Sequence, residues 1–212
     1  MSDYQPKLAE QFEDLDKQGH AARLGMWLFL GSEVLLFAGL FALYGAYRAM
    51  YGADFQAAAK HNDLFLGTLN TFVLITSSFT VAASVWAAQQ GKTRLVAPLL
   101  FTTGALACVF MVVKAIEYRA HFHEGIFPGA GYHFAELDTY GARTFYTLYY
   151  FMTGLHALHV VAGLSVLVWM AIWHLRRPFG PSHHVPLELG GLYWHLVDVI
   201  WIFLWPLLYL TR

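Results

Sequence analysis

Seven ionisable side chains interrupt stretches of sequence that are otherwise apolar: Glu33, Lys114, Glu117, His156, His159, His195 and Asp198. Their spacings decide what chemistry they can do. His156 and His159 stand one helical turn apart. They could ligate a metal given further ligands, or bond as neutral imidazoles to carboxyls on neighbouring helices. His195 and Asp198 have the same spacing and can share a hydrogen bond. So do Lys114 and Glu117, which read as an interfacial ion pair whose stems snorkel toward water. Glu33 follows Arg23 by roughly 15 Å of helix, which places it near a bilayer midplane. An ionised carboxylate at that depth costs about 2.5–3.5 kcal/mol on insertion scales. Glu33 and Asp198 are therefore expected to be uncharged or fully paired. Glu33 has two readings: a carboxyl bonded to a neighbouring helix, or a proton-linked or lipid-contacting group.

The elements that must position these groups are membrane spans. Hydrophobic residues make up 58% of the chain and charged ones 13%, whereas a soluble domain is about 45–50% apolar. Apolar runs at residues 24–47, 64–88, 95–116, 145–173 and 191–210 each meet the requirement of about 20 residues for crossing a bilayer. Hydrocarbon forces each to be helical, because backbone groups must pair internally. The fold class is all-α, a polytopic membrane bundle of five transmembrane helices, with an N-terminal cytoplasmic arm over 1–23 and the transmembrane domain over 24–212. The arm is acid-rich and lacks the apolar centre of a signal peptide. Leu8, Phe12 and Leu15 recur at helical spacing and predict a short amphipathic helix lying on the membrane. A net charge of −1 carries no nucleic-acid footprint. Cys108 lies alone in an apolar run, so neither a disulfide framework nor a CxxC metal pair exists. With five spans, Lys7, Lys17, Arg23, Lys92, Arg94, Arg176 and Arg177 share one side, against Arg48, Lys60, Arg119, Arg143 and Arg212 on the other. That bias places the N-terminus inside and the C-terminus outside.

The spans carry further patterns. The second holds Asn70, Thr71, Thr76, Ser77, Ser78, Thr80 and Ser84, small polar residues that let helices approach closely. In the last, Trp194, Asp198, Trp201 and Trp205 fall on one face, and Pro206 predicts a kink or local adjustment of the helix end. The loop with Arg176, Arg177, His183 and His184 is basic and reads as a contact for anionic lipid headgroups. A stand-alone b-type cytochrome would need histidines from two helices at matching depth. His156 and His159 are mid-membrane, while His195 lies only a few residues into its apolar run, a mismatch that argues against a heme here. No inverted repeat or pair of broken helices suggests a transporter.

Tyr193-Trp194-His195-Leu196-Val197-Asp198-Val199-Ile200-Trp201 resembles the closing helix of subunit III of the heme–copper oxidases. Upstream, Ser32-Glu33-Val34-Leu35-Leu36-Phe37 is similar to that family's SEVLFF segment, Leu69-Asn70-Thr71 to its LLNT, and Ala115-Ile116-Glu117-Tyr118 to its QASEY, with Lys114 where the family often has glutamine. Thr153-Gly154-Leu155-His156-Ala157-Leu158-His159-Val160 matches its TGxHxLHV, and His183-His184 ahead of Glu188 match as well. The order is kept from Trp27 to Leu210. The resemblance implies the five-helix form of the family, without the V-shaped lipid cleft that two extra helices make in longer forms. It implies a noncatalytic subunit of a proton-pumping oxidase, with no catalytic or metal-binding residue of its own. Hemes and copper are expected in partner subunits. Oxidase subunit I would be a direct partner, with subunit II, other subunits and membrane phospholipid nearby, in the bacterial inner membrane. Glu33, Asn70, Thr71, Glu117, His156, His159, His195 and Asp198 are the expected buried polar or proton-linked groups. Trp27, Glu33, Arg176, Arg177, His183, His184, Trp194 and Trp201 are candidate lipid or subunit contacts. A quinol oxidase subunit III and an accessory subunit of nitric oxide reductase are the neighbouring alternatives.

Overall fold

The computed structural model describes residues 8–181 and 183–211. Residues 1–7, Ser182 and Arg212 lie outside the described residues, and with them Lys7 and Arg212 of the charge balance. The helices in order are α1 (Leu15–Met50), α2 (Gly52–His61), α3 (Leu64–Gln89), α4 (Thr93–His123), α5 (Tyr140–Arg176) and α6 (Val185–Trp205). Three of them start where a side chain takes up free amides of the first turn. Asp14 accepts from the Lys17 amide at 2.6 Å and opens α1. Asp63 accepts from the amides of Phe65 and Leu66 and opens α3. Thr139 accepts from Ala142 and opens α5. The turn into α4 uses Gly91 at φ 70°, a conformation that disfavours residues with a Cβ.

The five long helices are apolar enough to span a membrane, in line with the five apolar runs. They also overrun those runs. α1 has 36 residues, about 54 Å at 1.5 Å per residue, against a hydrocarbon core of about 30 Å. Its early start changes the N-terminal arm. Leu8, Phe12 and Leu15 do not share a separate surface helix. Residues 10–14 are turns and bends that end at the Asp14 cap, and Leu15 is already the first residue of α1. Gln18 fixes this entry by accepting from the Ala9 amide at 2.9 Å. The short helix α2 was not among the expectations. It lies along α5 and buries Phe55, Ala58 and Ala59.

α6 is the centre of the bundle. It packs between α3 and α5, while α4 closes against α3 and α5 on the far side. Half of the most apolar window of α6 is buried, against 17% for α1. α1 leans on α5 and α6 and buries only Leu30, Phe37 and Tyr44. Beyond Trp205 the helix changes to a π turn over Pro206–Leu210, the local adjustment expected at a residue without an amide hydrogen. Donors from other elements reach the carbonyls there: the Tyr44 hydroxyl donates to Leu207 O at 2.6 Å, and the Asn62 amide to Leu208 O at 2.9 Å.

Close approach of α5 and α6 depends on Gly163, where an added Cβ would lie 2.8 Å from the Trp194 ring. Gly154 on the same helix has open space around it. Gly163→Ala is expected to destabilise the bundle by about 1–3 kcal/mol, and Gly154→Ala to be neutral or slightly stabilising. Thermal unfolding in mild detergent followed by tryptophan fluorescence distinguishes the two.

Candidate functional site

The most complete polar cluster surrounds Lys114, and it corrects the reading of Lys114 and Glu117 as a snorkelling pair. Their side chains are 6% and 2% exposed. The ammonium donates to Glu117 Oε2 at 3.1 Å and to the hydroxyls of Tyr149 and Tyr209 at 2.9 Å each, which uses all three of its protons. Those two hydroxyls donate in turn to Glu117 Oε1 at 2.7 and 2.5 Å. Rings of Tyr118, Tyr149, Trp201 and Tyr209 surround the ammonium with centroids 4.9–5.6 Å away, close enough for cation–π attraction. The pair turns inward because partners from α5 and the π turn are waiting there. Sequence reasoning missed Tyr149 and Tyr209. The available signal was that a tyrosine inside a span needs a partner for its hydroxyl.

Glu33 and His159 form the second contact. His159 Nε2 is 2.9 Å from Glu33 Oε2, and Nδ1 is 2.8 Å from Leu155 O. The expectation of a histidine bonded to a carboxyl on another helix holds for His159. It does not hold for His156. Both ring nitrogens of His156 lack a hydrogen-bond partner among the described residues, and the imidazole is packed against Phe110 and Trp201 at 5.6 and 5.2 Å. Asn70 lies near the same aromatic group, its amide 3.4 Å from Phe110 O.

The third cluster is a ladder between α3 and α6. The Trp194 indole donates to Ser77, His195 Nδ1 stands 2.6 Å from the Ser78 hydroxyl, and the Trp201 indole donates to Thr71. Asp198 sits buried among these rungs, with the Ser78 hydroxyl interacting with its carboxyl. The expected His195–Asp198 bond is not made, because the imidazole turns to Ser78 on α3. Trp194 and Trp201 are fully buried and so are unavailable as contacts for lipid or another subunit. Trp27 stays 62% exposed.

α6 begins at Val185, so His195 lies about 15 Å along it, near the middle of its span. His156 packs on Trp201, six residues further along α6, so its depth still differs from that of His195, by about 9 Å. Each of the three histidines is engaged within the bundle. His156 is enclosed by aromatic rings, His159 bonds Glu33, and His195 bonds Ser78. Among the described residues no group of three or more His, Cys, Asp or Glu side chains is placed to hold a metal ion.

At the end of the bundle where α1 begins, Arg23 donates twice to the Glu188 carboxylate, at 3.0 and 3.2 Å, and ties α1 to α6. Above this pair is a hollow of about 450 Å³ whose walls include His20, Arg23, His183 and His184. Next to it, sharing Pro186 and Leu189, a second hollow of about 480 Å³ is walled by apolar side chains including Met26, Phe29, Val166 and Tyr193. Arg176 and Arg177 are exposed, and neither is in the wall of these hollows. Behind them His174 locks the loop: its Nδ1 accepts from the Phe179 amide at 3.0 Å and its Nε2 faces Thr93 O at 2.9 Å.

Comparison with known proteins agrees with this architecture. The profile of the family described as cytochrome c oxidase subunit III matches residues 15–211. The chain is 36% identical over 194 residues to cytochrome c oxidase subunit 3 of Thermostichus vulcanus, covering 89% of this chain and 87% of that one. It is 30% identical over 189 residues to a probable cytochrome c oxidase subunit 3 of Nocardia farcinica, with the same two coverages. It is 31% identical over 188 residues to cytochrome c oxidase subunit 3 of Synechocystis, covering 88% and 74% of the two chains.

The closed geometry around Lys114 makes single and paired substitutions differ. Lys114→Met leaves Glu117 buried without its cation and is expected to cost about 3–5 kcal/mol of stability. Adding Glu117→Gln removes the stranded charge and is expected to recover a substantial part. Reversible denaturation in mixed micelles measures both.

Proposed function

The chain belongs to the cytochrome c oxidase subunit III family, and on that premise we propose that it is the noncatalytic brace of a proton-pumping heme–copper oxidase. In this reading it packs directly against subunit I, steadies the heme and copper centre held there, and supports proton uptake. Subunit II and the remaining subunits complete the assembly. The membrane is the bacterial inner membrane, with the N-terminus inside.

The observation that carries the reading is the closure of the Lys114 cluster. A full charge pair in the spans is bonded to tyrosines on α5 and on the turn after α6, so its interactions are spent on joining helices rather than on an open site. The Glu33–His159 pair differs. Its side chains remain 17% and 11% exposed on the outside of the bundle, which suits a group that exchanges protons with its surroundings. The paired hollows suit phospholipid. The one with Arg23, His20 and His184 fits a headgroup, and the apolar one fits the start of an acyl chain.

Purification of the tagged chain in mild detergent tests the proposal. A heme-bearing subunit I and a copper-bearing subunit II are expected to copurify, with retained phospholipid visible by native mass spectrometry. A chain that purifies alone, or that carries heme absorbance by itself, overturns it.

A further inference from the structure

We propose that the face shared by α3 and α6 around His195 is where a transmembrane helix of another subunit docks, and that this helix brings a hydroxyl or carboxamide side chain to His195 Nε2. The inference rests on the reading of the chain as one subunit of a membrane assembly. It adds the surface and the chemistry of the contact.

The bundle treats its other outward polar groups differently. The exposed hydroxyls of Ser32, Thr76, Thr102 and Ser165 each donate to a carbonyl of their own helix. Glu33 is met by His159. His195 is only partly buried and mid-span. Its one hydrogen bond among the described residues is from Nδ1 to Ser78, and Nε2, left without a partner there, is not one of the enclosed unpaired atoms. An imidazole nitrogen facing hydrocarbon without a partner forfeits about 1–3 kcal/mol. A lipid tail cannot make up that loss; a polar side chain on a neighbouring helix can. His156 and Asn70 also have unmet atoms, but they are wholly enclosed and no docking helix can reach them.

The surroundings suit a helix. On α3, Phe72, Ile75 and Phe79 are 67%, 48% and 73% exposed, and on α6, Val199 and Ile202 are 46% and 44% exposed. These positions repeat at helical spacing on each side of His195, two apolar rows with one polar group between them. The imidazole is held from behind by Ser78, with Asp198 alongside, so it is presented in a fixed orientation. A neutral imidazole offers either an N–H or a lone pair at Nε2, depending on its tautomer. A serine or threonine hydroxyl, or an asparagine or glutamine amide, answers both.

The assembled complex provides the test. A benzophenone amino acid placed at Phe79 or at Ile202 is expected to crosslink to another subunit on illumination. The same probe at Val112, exposed on α4, is the comparison. His195→Phe is expected to reduce the amount of copurifying partner at least tenfold and His195→Gln to retain it, while Ser78→Ala, which breaks the same bond between α3 and α6 but keeps Nε2, lowers the thermal midpoint of the chain as much as His195→Phe does and retains the partner. Crosslinks to lipid alone at Phe79 and Ile202, with the other subunits still copurifying, overturn the proposal and leave subunit membership intact. So does a crosslink confined to Val112. If no other subunit copurifies with the unmodified chain, both readings fall.

Discussion

Hydrocarbon supplies no hydrogen bonds, so a polar group inside a span must find its partner within the protein. The Lys114–Glu117 pair shows this constraint most fully. Two opposite charges would lose several kcal/mol each on leaving water, and here two hydroxyls and four rings are placed around the pair in its stead. Those hydroxyls arrive from α5 and from the turn after α6. The charge pair therefore fixes the end of α4, the first part of α5 and the end of α6 relative to one another. The π turn at Pro206 is part of the same arrangement, since Tyr209 on that turn both accepts from Lys114 and donates to Glu117.

From that anchor the central role of α6 follows. Its small and aromatic residues set its neighbours: Gly163 of α5 gives room to Trp194, and indole and imidazole nitrogens reach hydroxyls along α3. The ladder is tight at Ser77, Ser78 and Thr71, and at its outward edge His195 is bonded through Nδ1 alone among the described residues. A surface that is finished at most of its polar groups and unfinished at one side is the expected form for a part of a larger assembly. In a self-sufficient membrane domain each such group would be met from within.

Much of this was legible in the sequence, and the rest was hidden for identifiable reasons. The five spans follow from hydrophobic length, because only helices can satisfy a backbone in lipid. The adjustment at Pro206 follows from a missing amide hydrogen. The small hydroxyl residues of α3 read correctly as packing and crossing contacts. What spacing could not show was direction. Residues three apart on one helix look like partners, yet His195 bonds Ser78 and leaves Asp198, because contacts between helices outweighed the contact within one. Lys114 near the end of an apolar run looked like a snorkelling cation, but partners more than thirty residues away, Tyr149 and Tyr209, drew it inward. The helix ends were misplaced for a similar reason: hydropathy marks where lipid begins, whereas caps such as Asp14 mark where the helix begins.

The fastening of α1 has a consequence for biogenesis. It is held at three heights: by Arg23 to Glu188, by Glu33 to His159, and by Tyr44 to the carbonyl of Leu207. The bonded residues are 165, 126 and 163 positions apart, so each clasp waits for chain that is made late in synthesis. α1 thus enters the bilayer well before the helices that secure it. Until α5 arrives with His159, and α6 and the turn after it with Glu188 and Leu207, its length lies among lipids without those clasps, and a ribosome that stops short leaves the bundle open along that seam.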